Sequence, residues 1–378
     1  MSEAPLPTRL PLRGGTPALR FGPRGKDRRD KGLTRGARGF LFGLTNLAAR
    51  VRSFGVRIMT QLELRNQIGV LRQRRTNVHS VLHLAATFGL IAVALWLLKT
   101  QPLGVVAGPA FLLIGLMQYR LVMASHEATH KTLFHPVWLN ETIGLLTASL
   151  VGISLFNYRK AHMDHHKAPQ SIADDVDGYI YRPLLTVEAG WPRFWKLFSG
   201  LFVDIFVKFQ RKLFGDETTK SPGAEAGGGG VVAHLQSVFV QLAPIAVAQT
   251  AVLVFFAWFW VWWGYFIFWF IPIFLIALGM DRARTFLEHS YNYFFPGPPP
   301  PNLAEARQDT IDVETNALER FLFAPFGFSY HQAHHAQLTV PYYNLRELAG
   351  VLEEHQPGYH RRIKGSYLGL LFKVLWAR

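Results

Sequence analysis

Eight of the 15 histidines in this chain fall into three short clusters whose spacing suits a metal centre. The clusters are His126-Glu-Ala-Thr-His130, His162-Met-Asp-His165-His166 and His331-Gln-Ala-His334-His335. On a helix, residues three and four apart share a face, so each cluster can direct its imidazoles at one point. One metal ion rarely uses more than six ligands, and the number therefore predicts two ions held side by side. A ninth candidate, His289, follows a strongly apolar segment.

The elements that must position these imidazoles are membrane helices. The chain is 49% hydrophobic and 14% aromatic, and its apolar residues gather in runs. Four runs are long enough to span a bilayer, which predicts an all-α, polytopic membrane fold of two hairpins with a helical cap that carries the histidines. The predicted spans are Val78–Leu98, Leu103–Met123, Leu235–Phe256 and Phe259–Met280. Tryptophans between Trp258 and Trp263 crowd the second hairpin turn, as is typical of a membrane interface.

Charge predicts the orientation of these spans. Four spans place both termini on one side, and the basic residues concentrate in the first 75 residues, the long middle loop and the C-terminal tail. The positive-inside rule makes that side cytoplasmic, so the three clusters face the cytoplasm, and we expect a bacterial inner-membrane protein. The net charge of +15 then reflects topology and contact with anionic lipid. No nucleic-acid-binding module accompanies the basic N-terminus, so no nucleic-acid partner is expected.

Composition also divides the chain into a basic N-terminal segment, residues 1–76, and a membrane domain, residues 77–378. Pro, Gly and Arg dominate Met1 to Gly36, which predicts disorder. Apolar and basic residues recur from Phe40 to Arg65, which predicts a helix on the membrane surface. The glycine-rich composition of Gly215 to Gly230 predicts a flexible linker, and the prolines of Pro296 to Pro301 predict a stiff loop.

The chain contains no cysteine, which excludes an iron–sulfur cluster, a fused rubredoxin-type domain, thiolate catalysis and disulfides. It also lacks the His-Pro-Gly-Gly sequence of a fused cytochrome b5. If the centre handles electrons, they must come from an external donor.

Two alternatives to a pair of redox metals stay open from the residues alone. The first cluster satisfies the HExxH pattern of zinc metalloproteases, in which two histidines bind zinc and Glu127 is the general base. That reading leaves most of the other two clusters unexplained. The second alternative is a transporter of metal ions or protons, but conduction works best with weak, separated sites, whereas clustered imidazoles would trap an ion.

The ordered set HxxxH, HxxHH and HxxHH around two membrane hairpins resembles the membrane fatty acid desaturase superfamily, which includes acyl-lipid and sphingolipid desaturases, alkane and carotenoid hydroxylases, and ketolases. The resemblance runs from about Val78 to the C-terminus. The matching sequence segments are Ser125-His-Glu-Ala-Thr-His-Lys-Thr-Leu-Phe134, Tyr158-Arg-Lys-Ala-His-Met-Asp-His-His166 and Tyr330-His-Gln-Ala-His-His335. The short first cluster, HxxxH, departs from the acyl-CoA desaturases of animals.

The resemblance implies a centre of two non-haem irons, O2 as co-substrate and an external electron donor of the ferredoxin, flavoprotein or cytochrome b5 type. It implies nine iron ligands, which are His126, His130, His162, His165, His166, His289, His331, His334 and His335. Acidic neighbours can hold the outer N–H of such ligands. The pool is Glu127, Asp164, Asp174, Asp175, Asp177, Glu288 and Asp309, of which Asp164 and Glu288 are the first choices because they adjoin ligands.

The resemblance also implies the reaction, which is oxygen-dependent activation of a C–H bond in a lipid chain that reaches the site from the bilayer. We expect a desaturase that introduces a double bond into a fatty acyl or related chain. The alternatives are a hydroxylase or ketolase of alkanes, fatty acids or carotenoids, and a decarboxylase that forms a terminal alkene. Leu139 to Phe156 is expected to form a re-entrant or interfacial helix beneath the site. The remaining histidines lie outside the pattern and are predicted to be replaceable with the metal retained; they are His79, His83, His135, His234, His355 and His360.

Overall fold

The computed structural model describes residues 61–167, 171–199, 231–296, 309–360 and 362–377. Contacts divide the chain into Met1–Met59 and Thr60–Arg378, and every described residue belongs to the second unit. The predicted disorder of Met1 to Gly36, most of the predicted surface helix and the Gly215–Gly230 linker lie outside the described residues, as does all of the proline-rich loop except Pro296.

The described residues are mostly helical, and four helices are long and apolar enough to cross a membrane, which confirms the predicted all-α membrane fold. The helices before the middle loop are α1 (residues 61–73), α2 (Val78–Thr100), α3 (Leu103–Thr129), α4 (Val137–Leu150) and α5 (Leu155–His166). The next are α6 (Arg182–Leu185), α7 (residues 191–199), α8 (Val231–Phe259) and α9 (Phe266–Phe294). The last are α10 (Ala317–Leu322), α11 (His331–Ala336), α12 (Leu345–His355) and α13 (Tyr367–Leu375).

The candidate spans are α2, α3, α8 from Val238 onward, and α9. Two of them run further than predicted: α3 continues past Met123 to Thr129, and α9 past Met280 to Phe294. Polar residues marked the predicted ends, but the helices continue because those side chains find partners inside the protein. Arg284, for example, forms ion pairs with Asp281 and Glu288. The additional turns of α3 and α9 carry His126 and His289 above the apolar part of each span.

The last span also begins later than predicted. The turn after α8 occupies residues 260–263 and contains Trp260, Trp262 and Trp263. Gly264 and Tyr265 are already helical, and the span α9 runs from Phe266 rather than Phe259. Its first turns include two π-helical segments, Phe266–Phe270 and Ile273–Ala277, before regular α-helix resumes. The wider π-helical turn cannot be predicted from apolar periodicity, since every residue from Phe266 to Ala277 except Pro272 is hydrophobic.

The segment expected to be re-entrant or interfacial forms α4 and the start of α5, whose axes are bent by 100°. Helix α4 packs on the end of α3 that carries the first histidine cluster. The Asn140 side-chain amide donates to the Ala128 carbonyl at 2.9 Å, and the hydroxyls of Ser125 and Thr147 lie 3.1 Å apart. Because the bend follows directly, this packing also fixes where α5 and the second cluster begin.

Gly144 makes the approach of α4 to α3 possible. A Cβ at this position would lie 2.4 Å from the Cβ of Ala128, far inside van der Waals contact. We predict that Gly144→Ala lowers the free energy of unfolding by about 1–3 kcal/mol, because neither backbone can move without disturbing the packed helices. Thermal unfolding in detergent micelles measures this. The control is Gly89→Ala in α2, where nothing lies within 4 Å and little change is expected; equal stability of the two variants would contradict the prediction.

The C-terminal part of the chain covers the ends of α3 and α9. A short parallel pair of strands, β1 (Val313–Glu314) and β2 (Ile363–Lys364), joins residues just before α10 to residues just before α13. Glu319 on α10 accepts hydrogen bonds from the Ser366 hydroxyl and the Tyr367 amide, each at 2.7 Å, and so fixes the start of α13. Helix α1 joins this cap through Asn344, whose side-chain amide donates to the Leu71 and Arg74 carbonyls.

Arg120, fully buried in α3, links two spans to helix α10, which precedes the third cluster. Its guanidinium donates to the Thr87 hydroxyl of α2 at 2.9 Å and to the Phe321 carbonyl at 2.6 Å, and it lies 3.9 Å from the centre of the Phe321 ring. A fork of several N–H groups can satisfy a carbonyl, a hydroxyl and a ring face at the same time. Helix α10 is therefore anchored to two spans.

Candidate metal centre

All nine predicted ligands converge where α3, α5, α9 and α11 meet. The nitrogens of one group all lie within 4.8 Å of one another; its members are His126, His130, His162, His166 and His334. A second group within the same limit consists of His165, His289 and His335. His331 adjoins this second group, with its Nε2 atom 3.2 Å from Nε2 of His289 and 3.0 Å from Nε2 of His335. The two groups are neighbours, since the ring centroids of His166 in the first and His335 in the second are 4.3 Å apart.

The spacing of the nitrogens fits the coordination shell of a metal ion. Nε2 of His162 lies 2.9 Å from Nε2 of both His130 and His166. With metal–nitrogen bonds of about 2.1 Å, adjacent ligand atoms are roughly 3.0 Å apart in an octahedral shell and roughly 3.4 Å apart in a tetrahedral one. The Nε2–Nε2 separations of 2.9 Å in the first group, and of 3.0 to 3.4 Å among His165, His289, His331 and His335, lie close to these values.

The helical pattern explains why two groups form rather than one. Neighbouring residues on an α-helix point about 100° apart, whereas residues four apart point nearly the same way. His162 and His166, four apart on α5, therefore enter the first group, while His165 enters the second. Helix α11 repeats the division, with His334 in the first group and His335 in the second. Each HxxHH cluster thus contributes histidines to both groups.

Unsatisfied nitrogens indicate that the groups are built for a cation. Among the described residues, Nε2 of His126 and Nε2 of His334 are buried and have no hydrogen-bond partner. An unpaired buried polar atom is costly, so such atoms are rare without a functional reason. Both atoms belong to the first group, and a bound metal would satisfy both at once. An imidazole donor set of this kind suits zinc, copper, iron or nickel.

Burial keeps the imidazoles of the cap in the form that binds metal. Burial lowers the pKa of His331, His334 and His335 well below the usual value, and neighbouring histidines lower it further. Burial likewise lowers the pKa of His130 to about 3. These side chains are therefore neutral at physiological pH, with a lone pair available for coordination.

Asp175 and Tyr181 contact two histidines of the second group and orient their rings. Asp175 accepts a 2.6 Å hydrogen bond from Nδ1 of His165 and a 2.5 Å hydrogen bond from the Tyr181 hydroxyl. Burial alone would raise the pKa of Asp175, but the hydrogen bonds from these two residues outweigh it, and the net pKa lies below the usual value. The fully buried Tyr181 ring stacks on His289, with centroids 5.4 Å apart. One aspartate–tyrosine pair thus orients two candidate ligands.

Glu288 is the acidic residue next to His331, as Asp175 is next to His165. Its carboxylate lies 3.6 Å from Nδ1 of His331, accepts a 2.5 Å hydrogen bond from the Tyr367 hydroxyl, and pairs with Arg284. Asp164, the other first choice among the acidic residues, is placed differently: its exposed carboxylate binds Lys167 at 2.6 Å. On α5 it points away from the side occupied by His162 and His165. Although Asp164 is next to a candidate ligand in the sequence, its carboxylate is not next to one in the structure.

The third cluster depends on Asp312, a residue outside the predicted pool. Its Oδ1 atom accepts hydrogen bonds from the backbone amides of Gln332 and Ala333 at 2.8 and 3.2 Å, and its other oxygen accepts from the Tyr359 hydroxyl. A carboxylate at this place satisfies the free amides at the start of α11. No sequence signal marked Asp312, Tyr181 or Tyr367, because none of them lies in a histidine cluster or at a helical spacing from one.

The described histidines that were predicted to be replaceable lie outside both groups. His79 stacks on Tyr343, and His83 contacts Arg120 and Phe326. His135, His355 and His360 are likewise apart from the nine, and the side chain of His234 is outside the described residues. Their tolerance to substitution stays a prediction.

We predict that Asp175→Asn weakens metal binding by about 10–100-fold, because His165 loses a charged acceptor that fixes its tautomer and raises its basicity. Metal titration of the purified apoprotein measures this affinity. Asp164→Asn is the matched control, since its carboxylate faces Lys167, and it should bind metal like the wild type. Equal weakening in both variants would mean that general charge, rather than the hydrogen bond to His165, supports the centre.

Comparison with known proteins supports this view of the site. Residues 103–366, well over half of the chain, match the model of the fatty acid desaturase family, and this range contains all nine histidines. Among curated proteins, an omega-6 fatty acid desaturase of the endoplasmic reticulum from Brassica juncea is 26% identical over 132 residues. That similarity covers 29% of this chain and 34% of the relative, so the chain spans about a third of the length of the relative it matches.

Proposed function

Because the chain belongs to the fatty acid desaturase family, we propose that it is a membrane-bound, O2-dependent di-iron desaturase that introduces a double bond into a fatty acyl or related lipid chain. The observation that carries this proposal is the convergence of nine histidines in two adjacent groups at the ends of membrane helices. A single metal would not need nine imidazoles, and a soluble substrate would not need the spans.

Two irons held by these nine histidines would supply the reduction of O2 and the removal of hydrogen from an unactivated methylene. For a desaturase the balance is one –CH2–CH2– unit, one O2, two electrons and two protons, giving –CH=CH– and two waters. The protein's own contribution is to fix the imidazoles. Asp175 and Tyr181 orient His165 and His289, Glu288 lies behind His331, and Asp312 holds the start of α11.

The surroundings of the histidines suit a hydrocarbon substrate. Phe328 packs edge-on to His126 with ring centroids 4.5 Å apart and stacks on His331 at 5.5 Å. Tyr158 stacks on His162 at 5.4 Å. Aromatic walls exclude water from the candidate ligands and keep their rings in one orientation, which favours reaction with a lipid chain over uncoupled reduction of O2.

Hydroxylation is the second candidate, and the placement of His289 favours it. This histidine follows Glu288 near the end of the fourth span, as in the alkane hydroxylase branch of the superfamily, and its ring stands among the second group. In a hydroxylase the same abstraction of hydrogen is followed by return of an oxygen atom to the carbon. A shift of substrate by about an ångström can change rates by orders of magnitude and so decide between the outcomes.

A zinc protease is a poorer account of the same residues. A zincin uses three protein ligands, whereas the first group has five imidazoles, His126 and His130 among them. The carboxylate of Glu127 is occupied as well, since it accepts a 2.8 Å hydrogen bond from the Thr132 hydroxyl. A transporter is disfavoured because nine convergent nitrogens would retain an ion rather than release it.

We further propose that the cap faces the cytoplasm of a bacterial cell, where a ferredoxin, a flavoprotein or a cytochrome b5-type protein supplies the electrons. The excess of lysine and arginine in the N-terminal segment, the middle loop and the tail supports this orientation. Complementary charge would also steer an acidic redox protein to this side.

Lipid profiling by mass spectrometry tests the proposed reaction. Cells that express the wild type should contain lipids lighter by two hydrogens, and cells that express the His334→Ala variant should lack them. Products heavier by one oxygen would replace the desaturase by a hydroxylase, and terminal alkenes that have lost the carboxyl carbon would replace it by a decarboxylase. Identical lipids in both strains would overturn all three assignments.

A further inference from the structure

Two glutamines lie in the third span, which is otherwise almost entirely apolar. They are Gln241 and Gln249 of α8, within the part of that helix that can cross a membrane. This span carries none of the nine candidate ligands, and only 6% of its most apolar stretch is buried in the protein. Polar side chains inside a membrane are costly and usually have a function. The metal centre, as described so far, uses neither glutamine.

Gln249 lies near the middle of the span and contacts the end of α4. Its amide nitrogen donates to the Ser149 and Leu150 carbonyls, each at 2.9 Å, and the Trp269 indole donates to the Leu150 carbonyl at 3.2 Å. The last carbonyls of a helix have no partner within that helix, and at membrane depth they must be bonded within the protein. Gln249 and Trp269 therefore complete the end of α4 in the interior of the bilayer.

The orientation of the Gln249 amide is fixed from both sides. The Tyr265 hydroxyl donates to its Oε1 atom at 2.9 Å. Because carbonyl oxygens only accept hydrogen bonds, the amide nitrogen must face α4 and the amide oxygen must face Tyr265. Both N–H groups and the oxygen of Gln249 thus have partners on two other elements. A methionine of similar length could fill the same space but could not donate to either carbonyl.

Gln241 makes the corresponding contact on the other side of the bend. The Asn157 side-chain amide, in the first turn of α5, donates to Oε1 of Gln241. Four residues without helical structure, 151–154, separate α4 from α5, and the two helix axes differ by 100°. Helix α8 therefore holds the end of α4 with one glutamine and the start of α5 with the other.

We propose that Gln241 and Gln249, together with Tyr265 and Trp269, form a polar clamp that positions the second histidine cluster from within the membrane. The four are positioning residues, since they act through the α4–α5 bend and not by contact with the candidate ligands. The inference rests on the proposed function, because it assigns these residues to the same metal centre. It also gives the third span, which supplies no ligand, a part in building that centre.

A small rotation at the bend is enough to disturb the centre. His162 lies seven residues after the start of α5, which is about 10 Å along a helix. A rotation of about 5° at the bend then moves its imidazole by about 1 Å, whereas metal–ligand distances tolerate deviations of about 0.2 Å. His162 and His166 belong to the first group and His165 to the second, so one rotation displaces ligands of both groups.

Spin labels can report the position of α5 directly, because the chain has no cysteine of its own. Labels are attached at Lys160→Cys on α5 and Glu354→Cys on α12, both exposed positions, and their distance is measured by double electron–electron resonance on the apoprotein in lipid nanodiscs. Introducing Gln249→Met should shift or broaden this distance distribution. The matched control is Thr250→Val, an apolar replacement at the neighbouring, exposed residue of the same span, which should leave the distribution as in the wild type.

A reference pair separates the clamp from a general loss of packing. Labels at Gln101→Cys, at the end of α2, and Glu354→Cys do not include α5, and their distance should be the same with and without Gln249→Met. The proposal would be overturned if Gln249→Met left the α5 distance unchanged, or if it broadened both distances equally.

Iron(II) titration of the apoproteins links the clamp to the centre. Gln249→Met should weaken iron binding by about tenfold, the lower end of the loss seen when residues that orient a ligand are replaced. Tyr265→Phe leaves both bonds to the α4 carbonyls and should weaken it less. Wild-type affinity in Gln249→Met, or an equal loss in Tyr265→Phe, would overturn the assignment. Neither measurement depends on lipid products, so failure of the proposed reaction would show in the products alone, and failure of the clamp would show in the α5 distance.

Discussion

Replacing His334 with alanine is expected to abolish lipid oxidation and to remove metal from the first group. Its Nε2 atom is buried without a protein partner among the described residues, and its ring stands 4.6 Å from the ring of His130 and 4.9 Å from that of His126. Loss of residues that only orient a ligand costs about 10–100-fold in metal affinity or activity, so loss of a ligand itself should exceed about 100-fold. Product formation in cells and metal analysis of the purified protein measure the two effects.

His355→Ala is the control for this substitution. His355 ends α12, and its Nδ1 atom lies 3.1 Å from the Val351 carbonyl of the same helix, outside both histidine groups. The variant should keep wild-type products and metal. If His334→Ala retained the metal and the products, or if His355→Ala lost them equally, the first group could not be the catalytic centre.

The second large effect is expected at Glu288. Its carboxylate and the Arg284 guanidinium form an ion pair in which the side chains are 1% and 7% exposed. Removing one member of a buried pair leaves the other charge without compensation, which costs about 3–5 kcal/mol. Glu288→Ala should therefore lower the free energy of unfolding by this amount, and the remaining pairing of Arg284 with Asp281 places the loss toward the lower end.

Tyr367→Phe separates the ion pair from the hydrogen bond that Glu288 also accepts. This variant removes only the phenolic hydroxyl that donates to the carboxylate at 2.5 Å, so a loss of about 1.5–3 kcal/mol is expected. Denaturant or thermal unfolding of the purified proteins in detergent gives both values. If Glu288→Ala were no less stable than Tyr367→Phe, the ion pair between Glu288 and Arg284 would not contribute to the free energy of unfolding.

The convergence of the clustered histidines could be predicted because its signals are local, whereas their role as ligands stays a prediction. Residues three and four apart on short helices must share a face, and four apolar runs must span a bilayer, whatever the rest of the fold does. The two histidine groups, the all-α architecture and the approximate spans follow from these rules. The ends of α3 and α9 could not be predicted in this way. A polar residue such as Arg284 suggests the end of a span in the sequence, but in the folded protein it pairs with Glu288.

The supporting residues could not be predicted for a different reason. Asp175 and Asp164 are equally plausible partners by composition, and only the course of the chain after α5 brings Asp175 to His165 and leaves Asp164 at Lys167. Tyr367 lies 79 positions from Glu288, with which it forms a hydrogen bond. Contacts at such separations depend on tertiary packing and leave no periodicity in the sequence. Helical spacing predicts the candidate ligands of the three clusters, whereas the residues that contact them can be identified only from the fold.

Metal analysis of the purified wild type tests the central claim most directly. The protein is purified aerobically in detergent, its iron and zinc are quantified per chain, and its iron is examined by Mössbauer spectroscopy. The arrangement of nine histidines predicts two irons per chain with the signals of a coupled high-spin pair. One zinc per chain with negligible iron would contradict the di-iron centre and return the HExxH cluster to consideration as a zinc site.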